Sequence, residues 1–156
     1  MKCAKFNVVS ATSEYAKFVS EIYNENIEAL HGGDIYNWNE IFLRDKTDEK
    51  NFIICENDLP VAWLRIDGVN SKDIAWISML IVEMKSQGCG VGIYAVNFAE
   101  EYIKSKGFNR IGVRTTEDNV AAQALYKKCG YAITEYGDCT TADGASRKGY
   151  TFEKEL

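Results

Sequence analysis

Ile74-Ala-Trp-Ile-Ser-Met-Leu-Ile-Val82, followed by Glu83-Met-Lys-Ser-Gln87-Gly88-Cys89-Gly90-Val91-Gly92 and then by Ile93-Tyr-Ala-Val-Asn-Phe-Ala-Glu-Glu-Tyr-Ile-Lys-Ser-Lys-Gly107, is the stretch on which the fold turns. Its first part is apolar at nearly every position, as in a central strand covered on both faces. Its last part puts Val91, Tyr94, Ala95, Phe98, Ala99, Tyr102 and Ile103 on one face at helical spacing. Lys104 and Lys106 sit favourably in the last turn of that helix, and Gly107 closes it. The glycines between the two elements let backbone approach a ligand closely, and the free N–H groups of a helix's first turn favour an anion. A strand, a glycine loop and a helix start therefore make a phosphate site, and these residues alone leave the phosphate unidentified.

Working outward, Phe6 to Val9 is β-prone, and Ala11-Thr12-Ser13 offers N-cap candidates for a helix carrying Tyr15, Phe18, Val19 and Ile22. Glu14, Glu21, Glu25 and Glu28 share the opposite, solvated face. Ile35 to Asp45 reads as a second short helix. Asn51 to Cys55 and Val61 to Ile66 form a hairpin across a turn holding the sole proline, Pro60. After the glycine loop and its helix, Arg110 to Arg114 is a strand expected to run parallel to 74–82 through a right-handed crossover. Asp118-Asn119 caps a helix over Val120 to Lys128, which Gly130 stops. Tyr131 to Tyr136 and Gly149 to Glu155 are the last strands, flanking a polar loop at 137–148. The order β-α-α-β-β-β-α-β-α-β-β describes one three-layer α/β/α domain over 1–156 with a mixed, mostly antiparallel sheet.

The 156 residues, 46% of them hydrophobic, can bury one sizeable core. A net charge of −5 without a lysine or arginine block excludes a basic stripe for nucleic acid and a polybasic membrane patch. There is no signal-peptide pattern at Met1 to Ser10 and no stretch apolar enough for a membrane span, so the expectation is a cytoplasmic protein. Cys3, Cys55, Cys89, Cys129 and Cys139 are an odd, widely spaced set, which argues for reduced thiols and against disulfides or a zinc site. No metal is expected. His31, the one histidine, stands before Gly32-Gly33 and reads as a loop residue.

A nucleoside triphosphatase loop needs lysine and serine or threonine after its last glycine, whereas Lys85-Ser86 precedes the glycines here. A dinucleotide site is harder to set aside. Gly90-Val91-Gly92-Ile93-Tyr94-Ala95 satisfies G-x-G-x-x-A, with Glu117 downstream as a ribose-binding acid, but the loop comes after several strands instead of the first. Gln87-x-x-Gly90-x-Gly92 after an apolar strand resembles the acetyl-CoA loop of the GNAT superfamily of N-acetyltransferases. Asn119-Val-Ala-Ala122-Gln-Ala-Leu125-Tyr126-Lys-Lys-Cys-Gly130-Tyr131 is similar to that family's second signature, and Gly149-Tyr150-Thr-Phe152-Glu-Lys-Glu-Leu156 to its closing strand. Met84, where many members have proline, and Gln87, in place of the commoner arginine, depart from the pattern.

The resemblance implies a GNAT-like fold and an acetyl-CoA-dependent N-acetyltransferase acting on a primary amine of a small molecule or peptide. It implies that the CoA pyrophosphate lies on Gln87, Gly88, Cys89, Gly90, Val91 and Gly92, and that the strand at 74–82 splays from the one at 110–114. The pantetheine arm then pairs with backbone at Leu80, Ile81 and Val82, Asn119 holds its amide region, and Tyr126 is the general acid for the leaving thiolate. The general base is unassigned, Glu83 and Glu117 being the nearest carboxylates. The acceptor site falls to residues 25–45 and the 137–148 loop, with Glu28, Asp34, Tyr36 and Trp38 as candidates. Homodimer formation is compatible with these features, as is a non-catalytic acyl-CoA-binding module.

Overall fold

The computed structural model describes residues 5–33, 37–43 and 48–156. Within them the β-prone runs become one seven-stranded sheet. Its strands are β1 (Phe6–Ser10), β2 (Glu49–Glu56), β3 (Leu59–Asp67), β4 (Ala75–Val82), β5 (Arg110–Thr116), β6 (Ala132–Thr140) and β7 (Ser146–Glu155). They lie in the order β1-β2-β3-β4-β5-β7-β6, and every pairing is antiparallel except that of β4 with β5. The helices are α1 (Ala16–Glu25), α2 (Ile27–Leu30), α3 (Trp38–Leu43), α4 (Val91–Ser105) and α5 (Val120–Lys128).

Strand alternation divides the apolar residues between two cores. On one face Val19 and Ile22 of α1 and Trp38 of α3 pack on Ile53, Trp63 and Ile81. On the other, Val91, Ala95, Ala99 and Ile103 of α4 and Tyr126 of α5 pack on Leu64, Ile77, Ile111 and Phe152. The three-layer architecture and the mixed, mostly antiparallel sheet thus follow the expectation.

The structure departs from it in the details that shape the site. β4 is not a regular strand. Arg65 pairs with Met79 while Ile66 pairs with Ile77, so Ser78 is the extra residue of a bulge. Ser78 is held there by Arg65, whose Nε donates to its Oγ at 3.0 Å and whose carbonyl accepts from the same oxygen at 3.3 Å. The bulge reverses the pleat: Ala75 and Ile77 face α4, whereas Met79 and Ile81 face α1 and α3. Beyond it β4 parts from β5, and only Ala75–Ile77 pair with Ile111–Val113.

Two boundaries also move. The predicted first helix is interrupted at Asn26, whose Nδ2 bonds back to the Ile22 carbonyl at 2.8 Å and so competes with the helical ladder. The polar 137–148 segment is mostly strand, because β6 and β7 extend into it and leave only 141–145 as the turn. Nearly every side chain of β6 is exposed, which removes the apolar alternation a sequence reading needs. Of the predicted helix Ile35 to Asp45, residues 38–43 are helical, while 34–36 and 44–47 lie outside the described residues.

Candidate active site

The parting of β4 from β5 opens a cavity of about 540 Å³ between the outer half of β4, the glycine loop, the α1–α2 junction and α5. Leu80, Ile81, Val82, Gln87, Gly88, Gly90, Gly92, Asn119 and Tyr126, all singled out in the sequence, line it together. Two further residues singled out in the sequence do not line it. Val91 is 1% exposed and packs in the core, and Cys89 is exposed, its thiol on the Gln87 carbonyl at 3.7 Å.

The loop owes its shape to backbone that side chains disfavour. Gly88 and Gly90 have φ of +77° and +89°, and a Cβ on either would meet nothing within 4 Å. Gly92 is glycine for a different reason, since a Cβ there would come within 3.2 Å of Leu125 on α5. Among the described residues no N–H from Gly88 through Ile93 makes a backbone hydrogen bond, and α4 starts at Gly90 without a side-chain cap. These donors and the positive end of a 15-residue helix form an anion cradle.

Gln87 does something other than expected. Its Nε2 donates to Asn26 Oδ1 at 3.1 Å and to the Val82 carbonyl at 3.0 Å, so it ties the α1–α2 junction to the end of β4. Asn26 reinforces the tie with a longer bond to the same carbonyl at 3.4 Å. The cation on the cavity wall is instead Lys128, in the last turn of α5, which the sequence marked only as the end of a helix. Val82 turns its carbonyl into the cavity, and strand alternation gives the peptide groups of Leu80 the same direction, on the side where β5 has parted.

On α5, Asn119 is the N-cap, its Oδ1 accepting the Ala122 N–H at 3.1 Å. Asn119 also lines the cavity, and the cap leaves its Nδ2 available as a donor. Tyr126 is 4% exposed and packs against Tyr131 and Phe152, with ring centroids 5.5 and 6.2 Å away. Burial, with a smaller push from Cys129, moves its hydroxyl well above the ordinary phenol range. It keeps its proton near neutral pH.

The carboxylates near the motifs are engaged. Glu83 accepts from Ser86 Oγ at 2.6 Å, and Glu117 from the Tyr136 hydroxyl at 2.6 Å, a bond that pushes that hydroxyl up to about 12. Glu117 in that role, with a mostly antiparallel sheet, does not make a ribose site. Trp38, an acceptor candidate, is a core residue set edge-on to Tyr23 and Trp63. Glu28 is exposed on α2, and Asp34 and Tyr36 lie outside the described residues.

One pair had no signal in the sequence. His31 Nε2 lies 2.8 and 3.1 Å from the two Asp118 carboxylate oxygens, across 87 positions of chain. Asp118 also accepts from Thr116 Oγ1 at 2.6 Å, and these bonds, the Thr116 one first, hold its carboxyl below the usual range. Among the described residues no cluster of metal-ligating side chains occurs, the four cysteines are free, and no helix is long and apolar enough to cross a membrane.

A sheet opened between its two parallel strands beside a glycine cradle defines an acyl-CoA-binding fold. The chain belongs to the acetyltransferase (GNAT) family, whose sequence pattern matches residues 15–131. It is 29% identical over 96 residues to an uncharacterized N-acetyltransferase of Methanocaldococcus jannaschii, a match taking in 58% of this chain and 42% of that protein. The chain therefore spans under half the length of this curated relative. In structure it is similar to an acetyltransferase of Salmonella typhimurium solved with its cofactor acetyl-CoA, with a TM-score of 0.77 at 15% identity over 97% of this chain and 94% of that one. A spermidine N-acetyltransferase of Vibrio cholerae gives 0.78 at 14% identity over 96% and 93%. At these identities the structural likeness speaks for the fold.

Proposed function

We propose that residues 1–156 form one acetyl-CoA-dependent N-acetyltransferase domain, which transfers the acetyl group to a primary amine of a small molecule or peptide. The observation that carries this reading is the run of unpaired N–H groups from Gly88 to Ile93 at one end of the same cavity that the β4–β5 parting opens at the other. Such a cavity suits a ligand with a pyrophosphate at one end and an amide-bearing arm at the other.

In this reading the cradle and the α4 dipole hold the pyrophosphate, and Lys128 supplies the charge that Gln87 lacks. The peptide groups of Leu80 and the N–H of Val82 pair with the arm in place of the absent β5 partner, while Asn119 Nδ2 donates to one of its amides. Acetyl-CoA supplies a thioester carbonyl carbon open to attack. A backbone N–H aimed at the oxygen where charge develops is worth about 3 kcal/mol of barrier. The Tyr126 hydroxyl donates a proton to the departing sulfur. The amine attacks directly, and no side-chain nucleophile is required.

Calorimetry with acetyl-CoA, followed by thiol release in the presence of a panel of primary amines, tests the reading. Binding with turnover on at least one amine is expected. Neither binding nor turnover would end it.

A further inference from the structure

His31 sits where three segments meet. It follows Leu30, which lines the cavity from α2, and its ring reaches Asp118, the neighbour of Asn119 on the opposite wall. Its carbonyl accepts the Asp143 N–H at 3.0 Å, and Gly33 lies against the Ala142 carbonyl, so the β6–β7 turn closes on the same spot. The ring is 14% exposed. The backbone at His31 has φ +49° and ψ +49°, a left-handed conformation that Gly32 or Gly33 would take at no cost, yet a histidine occupies it.

Resting on the functional reading above, we infer that His31 is the general base of the transfer, accepting the ammonium proton of the acceptor amine at Nδ1, with Asp118 as its positioning residue. The tautomer follows from the partner. An ionised carboxylate only accepts hydrogen bonds, so in the neutral ring Nε2 carries the proton that Asp118 receives and Nδ1 keeps the lone pair. Proton balance is simple. His31 takes one proton from R–NH3+ and passes it to solvent, and the amine lone pair then forms the N–C bond. The carbon–sulfur bond breaks, the thiolate takes the Tyr126 proton, and the second nitrogen proton lost by the adduct restores that hydroxyl through water. One proton is released per turnover. The titratable and charged groups on the segments packed around the ring are Glu28 on α2, Tyr23 on α1, Glu117 and Asp118 before α5, and Asp143 with Arg147 at the β6–β7 turn.

The test compares the protein with His31→Gln and Asp118→Asn, using an aliphatic amine that is an ammonium at pH 7 and an aromatic amine that is already neutral. His31→Gln should lower kcat/KM about 100-fold for the aliphatic amine and less than about fivefold for the aromatic one, with acetyl-CoA affinity within about threefold. Asp118→Asn should lower it about tenfold for the aliphatic amine alone. Nitrogen-15 NMR of the single imidazole should show the Nε2-protonated tautomer, and its signals should move when acetyl-CoA saturates the site. Equal losses with both amines, undiminished turnover of the aliphatic amine, or an imidazole unmoved by bound acetyl-CoA would each overturn the assignment. If acetyl-CoA does not bind the unaltered protein, the functional reading falls and this assignment with it.

Discussion

Gly90→Ala and Gly92→Ala separate two reasons for a glycine. At Gly90 the added methyl meets nothing within 4 Å, so the cost to the unliganded protein is backbone strain alone, at φ +89°. A left-handed conformation costs a residue with a Cβ about 1–2 kcal/mol, which in a domain of this size lowers Tm by about 2–8 °C. At Gly92 no positive φ is involved. Alanine gains up to about 1 kcal/mol of helix propensity against a 3.2 Å contact with the flexible end of Leu125, so stability should stay within about 0.5 kcal/mol. Affinity should order the variants differently from a simple count of methyls. Gly90 lines the anion cradle, so a methyl there should weaken acetyl-CoA binding about 10–100-fold, whereas the Gly92 methyl points at α5 and should cost less than about tenfold. Thermal scans with and without acetyl-CoA, backed by calorimetry, read both quantities. Unchanged affinity in Gly90→Ala, or a larger loss in Gly92→Ala, would refute the placement of the pyrophosphate over Gly90.

Tyr126→Phe should lower kcat about 100-fold while leaving acetyl-CoA affinity within about threefold, as steady-state kinetics and calorimetry would show. Lys154 Nζ contacts Glu100 Oε1 at 2.5 Å and the Cys129 carbonyl at 2.9 Å, with Glu100 8% exposed. Lys154→Met should therefore cost about 2–3 kcal/mol, below the figure for a fully buried pair because Lys154 keeps 31% of its side chain in water, and adding Glu100→Gln should restore at least half of the loss in urea unfolding. Asp143 is held below the usual carboxylate range by Thr141, Arg147 and the Ala145 N–H. A depressed carboxyl stabilises the fold fully above its unfolded value of 3.8 and loses that contribution only as pH falls through its lowered folded value, so Asp143→Asn should lower Tm at pH 7 and the gap to the parent should shrink progressively as pH is taken below 3.8.

What the sequence revealed was whatever local spacing encodes. The glycine cradle, α4 and the Asn119 cap all depend on residues within one turn or loop of each other, and each lies where its own stretch predicts. The Ser78 bulge had no such signal. An apolar run reads the same whether or not its pleat reverses, and the reversal is set by register with β3 and by the Arg65 staple. β6 was short in the sequence reading because an exposed edge strand carries no buried period. Gln87 reads as a phosphate donor because its identity, unlike its direction, is local, while Asn26, to which its amide donates, lies 61 positions away. Trp38 shows the same limit, since nothing in its own stretch distinguishes an aromatic lining a site from one packed between Tyr23 and Trp63. His31 and Asp118 meet only through tertiary structure.

Among the described residues, the three residue pairs that join β4 to β5 are the sole strand-to-strand seam between a sheet of β1 to β4 and another of β5, β7 and β6. A seam this short works as a hinge, leaving α4 and the side-chain ties across the gap to steady the two halves. A ligand arm bonded to the free edge of β4 would act as a splint, filling the missing rungs and stiffening both half-sheets at once. Amide exchange at Leu80 and at residues 114–116 should then slow together when the cleft fills, although those positions lie on different strands.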